Sequence, residues 1–286
     1  MEHEREPRRV WLITGASRGF GAEIAAAALA VGDAVVATAR STTPVIKRLG
    51  ERSELLALRV DVTNEPSMAA AVREAISTFG CIDVLVNNAG YGLVGAVEET
   101  SFDDIRKIYE TNVFGLLGMT RAALPQMRRQ RSGRIINMSS VGGYRSLAGY
   151  GIYCSTKFAV EAISEALSAE LAPLGIRVII VEPGYFRTDF LDATSFVESS
   201  TRIDDYDVTS GQTRESARER NHQQLGDPVK LARTLVELAR SPSPPLRLPL
   251  GTDAVDAIEA KNAFVARELD AWRRLSTWTD FPASPA

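Results

Sequence analysis

Tyr153 and Lys157 stand four residues apart in the run YCSTK. On a helix such residues share a face, so a phenol and an ammonium would lie side by side. A free phenol has a pKa of about 10 and exchanges protons poorly at neutrality. A neighbouring cation favours the phenolate and brings the group toward the working range of an acid–base catalyst. Upstream, Ser140 closes the run GRIINMSS. That run reads as a parallel strand, and ligands of open α/β sheets gather at the carboxyl ends of such strands. Ser140 there would donate its hydroxyl to a substrate oxygen. Its neighbour Ser139 would point to the other side of the strand. Taken alone, Tyr-x-x-x-Lys is also what a half-buried tyrosine and a solvated lysine look like on an ordinary amphipathic helix.

The segment TGASRGFG, residues 14–21, admits two readings. Gly15 to Gly19 fits G-x-S-x-G, the strained turn that exposes a hydrolase serine, here Ser17. That chemistry needs a histidine base later in the chain. The two histidines are His3, ahead of Ser17 in a charged tail, and His222, in an irregular stretch. The elbow also leaves Gly21 without a purpose. A loop that cradles a dinucleotide pyrophosphate uses every glycine: Gly15 turns the chain, Gly19 lets backbone approach phosphate, and Gly21 lets helix and strand pack. Its spacing, G-x-x-x-G-x-G, departs from G-x-G-x-x-G, so the loop needs support from the rest of the chain. The second strand ends in Thr38-Ala39-Arg40. An acidic residue at that point would hold a ribose 2′-hydroxyl. Arg40, with Arg18 inside the loop, suits a 2′-phosphate instead, and the expected cofactor is NADP(H) in preference to NAD(H).

These groups must be positioned by a scaffold, and the chain alternates short apolar runs with longer helical ones. Strands are expected at 10–14, 34–40, 56–61, 82–87, 134–139, 177–181 and 246–250. Helices are expected at 19–31, 66–79, 102–129, 153–172, 228–239 and 255–275. Continuous rather than alternating apolar runs suit strands covered on both faces. The expected fold is α/β: a Rossmann-like, doubly wound, parallel seven-stranded sheet with helices on both faces. One domain over 1–286 is expected, with a core at about 8–252 and a helical extension at 253–286. A segment at 185–226, without a clear strand, reads as a lid or binding loop. The 286 residues are 45% hydrophobic, enough for a sizeable core, and the formal net charge of -3 gives no reason to expect nucleic acid or an acidic membrane surface. Two cysteines, Cys81 and Cys154, and a charged N-terminus suit a reducing cytoplasm rather than a disulfide framework.

Together these pieces resemble the short-chain dehydrogenase/reductase family in its single-domain form. The matching residues are TGASRGFG, Asp61-Val62, NNAG at 87–90, Asn112, Ser140, Tyr153, Lys157, and Pro183-Gly184 with Thr188. The resemblance implies that Tyr153 gives a proton to a carbonyl oxygen in reduction, or takes it from an alcohol in reverse. It implies that Lys157 tunes Tyr153 and binds the nicotinamide ribose, that Ser140 polarises the carbonyl, and that Asn112 holds a water in a proton relay. Cofactor contacts would come from Gly15, Ser17, Arg18, Gly19, Phe20, Gly21 and Arg40, and from Tyr153 and Lys157. Asp61 and Val62 would flank the adenine, Asn88, Ala89 and Gly90 its ribose side, and Pro183, Gly184 and Thr188 the nicotinamide half.

Substrate walls would come from 91–96, 141–150 and the segment after Gly184, with Tyr91, Leu93, Tyr144, Leu147, Tyr150, Tyr185, Phe186, Phe190 and Phe196. Such walls suit a hydrophobic ketone or secondary alcohol. The alternative is a nucleotide-binding sensor without turnover. The resemblance also implies a homodimer through the helices bearing Asn112 and Tyr153. A tetramer is the second possibility, set in doubt by the C-terminal extension.

Overall fold

Each continuous apolar run becomes a strand whose alternate side chains feed two separate cores. The computed structural model describes residues 8–281. Most of the charged tail around His3, and the last five residues of the C-terminal extension, lie outside them. Strands β1 (Val10–Thr14), β2 (Ala34–Ala39), β3 (Leu55–Arg59), β4 (Val84–Asn87), β6 (Gly133–Met138), β7 (Ile176–Pro183) and β9 (Arg247–Leu250) form one sheet in the order β3-β2-β1-β4-β6-β7-β9. Every pairing in it is parallel. In β1, Trp11 and Ile13 enter one core and Leu12 the other.

The first core packs under α1 (Gly19–Ala30) and α8 (Pro228–Arg240), with α2 (Thr43–Leu49) at its edge. The second lies under α3 (Glu65–Phe79), α5 (Gly115–Gln130) and α6 (Gly151–Leu171). Asn64 caps α3 by accepting from the Ser67 N–H, and Ser101 caps α4 (Phe102–Tyr109) by accepting from that of Asp104. The expected helix 102–129 is α4 and α5 joined by a π-helical turn, Glu110–Phe114. The strand order reverses between β1 and β4, which opens a crevice beyond their carboxyl ends.

The segment 185–226 is more ordered than its sequence suggests, and it does hold a strand. β8 (Phe196–Glu198) pairs in parallel with β5 (Gly92–Val94) in a separate two-stranded sheet. The charged stretch beyond it forms α7 (Gln212–Arg220). A buried ion pair fastens α7: Arg214 reaches the Glu99 carboxylate, their side chains 2% and 0% exposed. Glu99 also accepts the Ala96 N–H at 2.7 Å and the Ile203 N–H at 3.0 Å. One carboxylate thus ties the stretch after β5 to the 185–226 segment. The last helix, α9 (Thr252–Thr277), buries Ala254 and Ala257 at its base and leaves Phe264, Leu269 and Trp272 exposed further along.

Glu99→Ala should strand the Arg214 guanidinium without a partner, at a cost of about 3–5 kcal/mol. The expected result is a lower Tm and faster proteolytic cleavage within 185–226. An unchanged melting curve and digestion pattern would contradict this role for Glu99.

Candidate active site

At the crevice, β1 runs into the glycine-rich loop. Gly15 has φ +67°, a conformation open to glycine at no steric cost. A Cβ on Gly21 would lie 2.4 Å from the Gly15 carbonyl oxygen. The loop therefore closes on itself at a distance only a bare α-carbon permits. It leads into α1, where the N-cap residue, Arg18, is extended and makes no side-chain cap, so the first N–H groups stay available. Asn88 holds the loop from the β4 side, its amide donating to the carbonyls of Thr14 at 2.8 Å and Gly15 at 3.2 Å. Asn87 turns inward instead, donating to Thr120 at 2.9 Å and Asn137 at 2.8 Å within the core. These features fit a dinucleotide: a cradle too tight for side chains, free backbone donors, and a cavity of about 900 Å³ beside it.

Ser17, Arg18, Gly19, Phe20 and Arg40 line that cavity, as do Val62, Ala89, Gly90, Pro183, Gly184 and Thr188. Arg18 donates to the Thr194 hydroxyl at 2.5 Å and carbonyl at 2.9 Å, across to the 185–226 segment. Arg40 is exposed at the end of β2. Asp61 stands outside the lining. Its carboxylate accepts from the Thr63 N–H at 2.9 Å and hydroxyl at 2.8 Å, which, with the Arg40 charge nearby, holds its pKa below the usual range.

Tyr153 and Lys157 converge on the cavity from α6 and Ser140 from the end of β6. A Cβ on Gly142 would sit 3.3 Å from Ser140 Oγ and 3.4 Å from Tyr153 Cε1, so the two side chains flank one small residue. The Tyr153 ring packs against Phe190 at 5.9 Å and Tyr150 at 6.4 Å between centroids. Burial raises the Tyr153 pKa above the ordinary phenol value, and hydrogen bonding with Ser140 opposes that shift. The sequence reading expected Lys157 to dominate and pull the phenol down; desolvation among the aromatic rings dominates instead. Lys157 Nζ lies 6.0 Å from the Tyr153 ring centroid and donates to the Met138 carbonyl at 2.8 Å. Burial lowers its own pKa to about 8, with the Glu161 carboxylate acting against that fall.

Asn112 lies in the π-helical turn and is buried. Its amide accepts from the Tyr91 N–H and donates to the Tyr91 carbonyl, each at 3.0 Å, and donates to Thr156 on α6 at 3.2 Å. It thereby joins the segment after NNAG to the helix bearing Tyr153. Of the aromatic walls expected, Tyr144 lies elsewhere: its hydroxyl donates to Asn262 on α9 at 2.6 Å. His222 is outside the cavity lining and pairs with Asp192 at 3.1 Å, so Ser17 has no histidine base there.

Sequence reasoning missed the groups behind the triad. Ser139 donates to Glu161, as the opposed facing of the two serines requires, and Glu161 accepts from Arg247. Glu161 follows Lys157 by four, the same spacing that joins Tyr153 to Lys157, and that was the available signal.

Fold and site together define an NAD(P)-dependent oxidoreductase. A family model described as short chain dehydrogenase matches residues 9–196. Oxidoreductase BOA17 of Botryotinia fuckeliana is 37% identical over 94% of this chain and 98% of its own length. A 3-ketodihydrosphingosine reductase of Bacteroides thetaiotaomicron is 37% identical over 85% of this chain and 88% of its own. The crystal structure of a short-chain dehydrogenase from Streptomyces avermitilis superimposes with a TM-score of 0.89 at 42% identity, covering 96% of this chain and 100% of that one. The chain belongs to the short-chain dehydrogenase family. More distant neighbours carry nucleotides. A Thermococcus sibiricus alcohol dehydrogenase complexed with 5-hydroxy-NADP matches at 25% identity and TM-score 0.68. A Brucella melitensis 3-ketoacyl-(acyl-carrier-protein) reductase complexed with NADH matches at 28% and 0.70. Each covers 85% of this chain and 96% of its own.

Gly21→Ala should force the loop open to relieve the contact with Gly15. Overpacking of this kind costs about 1–3 kcal/mol. Fluorescence titration should show NADPH affinity reduced by about fivefold to a hundredfold. An unchanged affinity would mean that the loop does not cradle the nucleotide.

Proposed function

We propose that this protein transfers a hydride between NADP(H) and a hydrophobic ketone or secondary alcohol, with Tyr153 as the acid–base group. The observation that carries the reading is the convergence of Ser140, Tyr153 and Lys157 on a cavity walled by Tyr150, Phe190 and Phe196. When bound, the nicotinamide supplies or accepts the hydride. The chain's own residues do the rest. Ser140 donates a hydrogen bond to the carbonyl oxygen and holds it toward Tyr153. The Tyr153 O–H bond breaks as a new one forms on that oxygen. Its raised pKa keeps the phenol protonated at neutrality, the form reduction requires. Lys157, charged below about pH 8, stabilises the phenolate left behind. The aromatic walls exclude water and select apolar substrates. The relative named 3-ketodihydrosphingosine reductase, a reductase of a keto compound, supports the ketone assignment.

The basic residues Arg18 and Arg40, and the lack of an acid at the end of β2, favour a 2′-phosphate. Asn112 serves as the relay residue, its helix already widened to a π turn. We read the chain as one domain that pairs as a homodimer through the exposed faces of the π turn and α6, where Phe114 and Phe158 are 53% and 44% exposed. No helix of the described residues is long and apolar enough to cross a membrane. Two free cysteines fit a reducing cytoplasm.

NADPH oxidation against a panel of apolar ketones and small sugars tests the reaction. The ketones should turn over, and Tyr153→Phe should lower the rate by about 10²–10⁴ with nucleotide binding retained. Binding without turnover on every carbonyl would favour a sensor, and activity confined to sugars would refute the apolar pocket. Catalytic efficiency should favour NADPH over NADH by about tenfold to a hundredfold, and Arg40→Ala should remove most of that ratio. Equal efficiency with both cofactors in the unaltered protein would refute the preference.

A further inference from the structure

Behind Lys157 lies a charged cluster that the reaction above does not use. Glu161 is one turn further along α6 than Lys157 and 4% exposed. One of its oxygens accepts from the Ser139 hydroxyl and the other from Arg247 Nη1. The same Nη1 donates to Glu182 on β7 at 2.7 Å, and Nη2 reaches Glu165 at 2.7 Å. Glu182 is 1% exposed, whereas the Glu165 side chain is 55% exposed. Two buried carboxylates therefore share one guanidinium. The loop after Ser140 closes over them: a Cβ on Gly143 would lie 2.5 Å from Ser139 Oγ and 2.9 Å from Glu161 Oε1.

The cluster touches every element that carries the reactive groups. Ser139 adjoins Ser140, Glu161 adjoins Lys157 on the helix face, and Glu182 adjoins Pro183 at the end of β7. We propose that Glu161, braced by Ser139 and Arg247 and coupled to Glu182, is a positioning residue that sets how firmly Lys157 holds its proton. It acts through Lys157 on the acid strength of Tyr153. The inference rests on the Ser140–Tyr153–Lys157 reading.

The physical reason is Coulombic. An ionised carboxylate one helical turn away stabilises the Lys157 ammonium, and at the effective dielectric of a protein interior that is worth on the order of one pH unit. The carboxylate is itself poised. Burial, with the Glu182 charge adding to it, raises the Glu161 pKa to about 7, while Ser139 and Arg247 oppose the rise. Burial raises Glu182 as well. Glu161 thus changes charge near neutrality, and it faces Lys157 and Glu165 on α6, Glu182 on β7 and Arg247 on β9. A groove of about 540 Å³ between α6 and α9, lined also by Tyr144 and Lys261, gives it a path to solvent.

Signs follow for two variants. Glu161→Gln keeps the shape and removes the charge, so Lys157 loses its proton at lower pH. Glu182→Gln removes the rival carboxylate, so Glu161 ionises at lower pH and the inflection it imposes on Lys157 moves down with it. The chain has five lysines, so NMR of lysine labelled with ¹³C at Cε, assigned with Lys157→Arg, reads the Lys157 titration without any turnover. The expected result is a downward displacement of the main Lys157 step on the order of one pH unit in Glu161→Gln, and in Glu182→Gln a main step close to that of the unaltered protein with the neutrality inflection moved to lower pH. In the unaltered protein the Lys157 resonance should carry a second inflection near neutrality. The alkaline limb of the kcat/KM profile for ketone reduction should move down with Glu161→Gln.

A merely structural cluster would lower rates without displacing either inflection. Coincident titrations of Lys157 in all three proteins, or a single-step curve in the unaltered protein if neither variant folds, would overturn the proposal. If Lys157 titrates as expected but no carbonyl is reduced, the coupling stands and the assigned reaction falls. If Tyr153→Phe abolishes turnover while Lys157 is unmoved, the reverse holds.

Discussion

The Thr14 hydroxyl accepts the backbone N–H groups of Asn88 at 2.9 Å and Ala89 at 3.0 Å, and lies 3.3 Å from the Val86 carbonyl. At this point the neighbouring strands β1 and β4 stop pairing and diverge. Backbone donors past the last ladder bond would be stranded, and an unpaired buried donor costs about 1–3 kcal/mol. The Thr14 hydroxyl accepts from these donors, the Asn88 amide donates to the carbonyls of Thr14 and Gly15, and together they fix the separation of the two loops. The glycine-rich loop then lies where a methyl on Gly15 would meet the Ala89 α-carbon at 3.0 Å. The cradle, the NNAG turn and the mouth of the cavity are all placed by this junction.

The site makes opposite demands on charge. Aromatic rings around Tyr153 favour the neutral phenol, while the Lys157 ammonium favours its ionised form, and both are desolvated in the same pocket. Under the proposed reaction, one effect would keep the phenol protonated and the other would help it release its proton. Burial is the stronger effect, and it raises the Tyr153 pKa.

Much of this was legible in the sequence because it is local. The five inner strands of the main sheet are apolar runs buried at its centre, whereas the edge strands β3 and β9 are only partly buried, and β1 begins and ends where its pattern does. Tyr153 and Lys157 are brought together by helical periodicity alone. What stayed hidden lacks a period or depends on distant partners. β5 and β8 are three residues each, too short for alternation to register. α7 reads QTRESARER, with no apolar face to betray it, and it is held by a glutamate far upstream. Arg18 meets Thr194, and Glu161 meets Arg247, only because the chain has folded. Tyr144 falls in the 141–150 stretch that the resemblance places at the substrate wall, but its hydroxyl donates to Asn262 on α9 instead.

The two sheets differ in what it takes to part them. Breaking the seven-stranded sheet means opening both cores. The pairing of β5 with β8 joins residues about a hundred positions apart through only three register pairs, outside either of those cores. Loop closure over that span is repaid late, after the main sheet has assembled. On contact order and pairing alone, the expectation is that the wall of the cavity opens more readily than the main sheet. An amide-exchange experiment would see the binding pocket as two layers of protection, the deeper one belonging to the cofactor side.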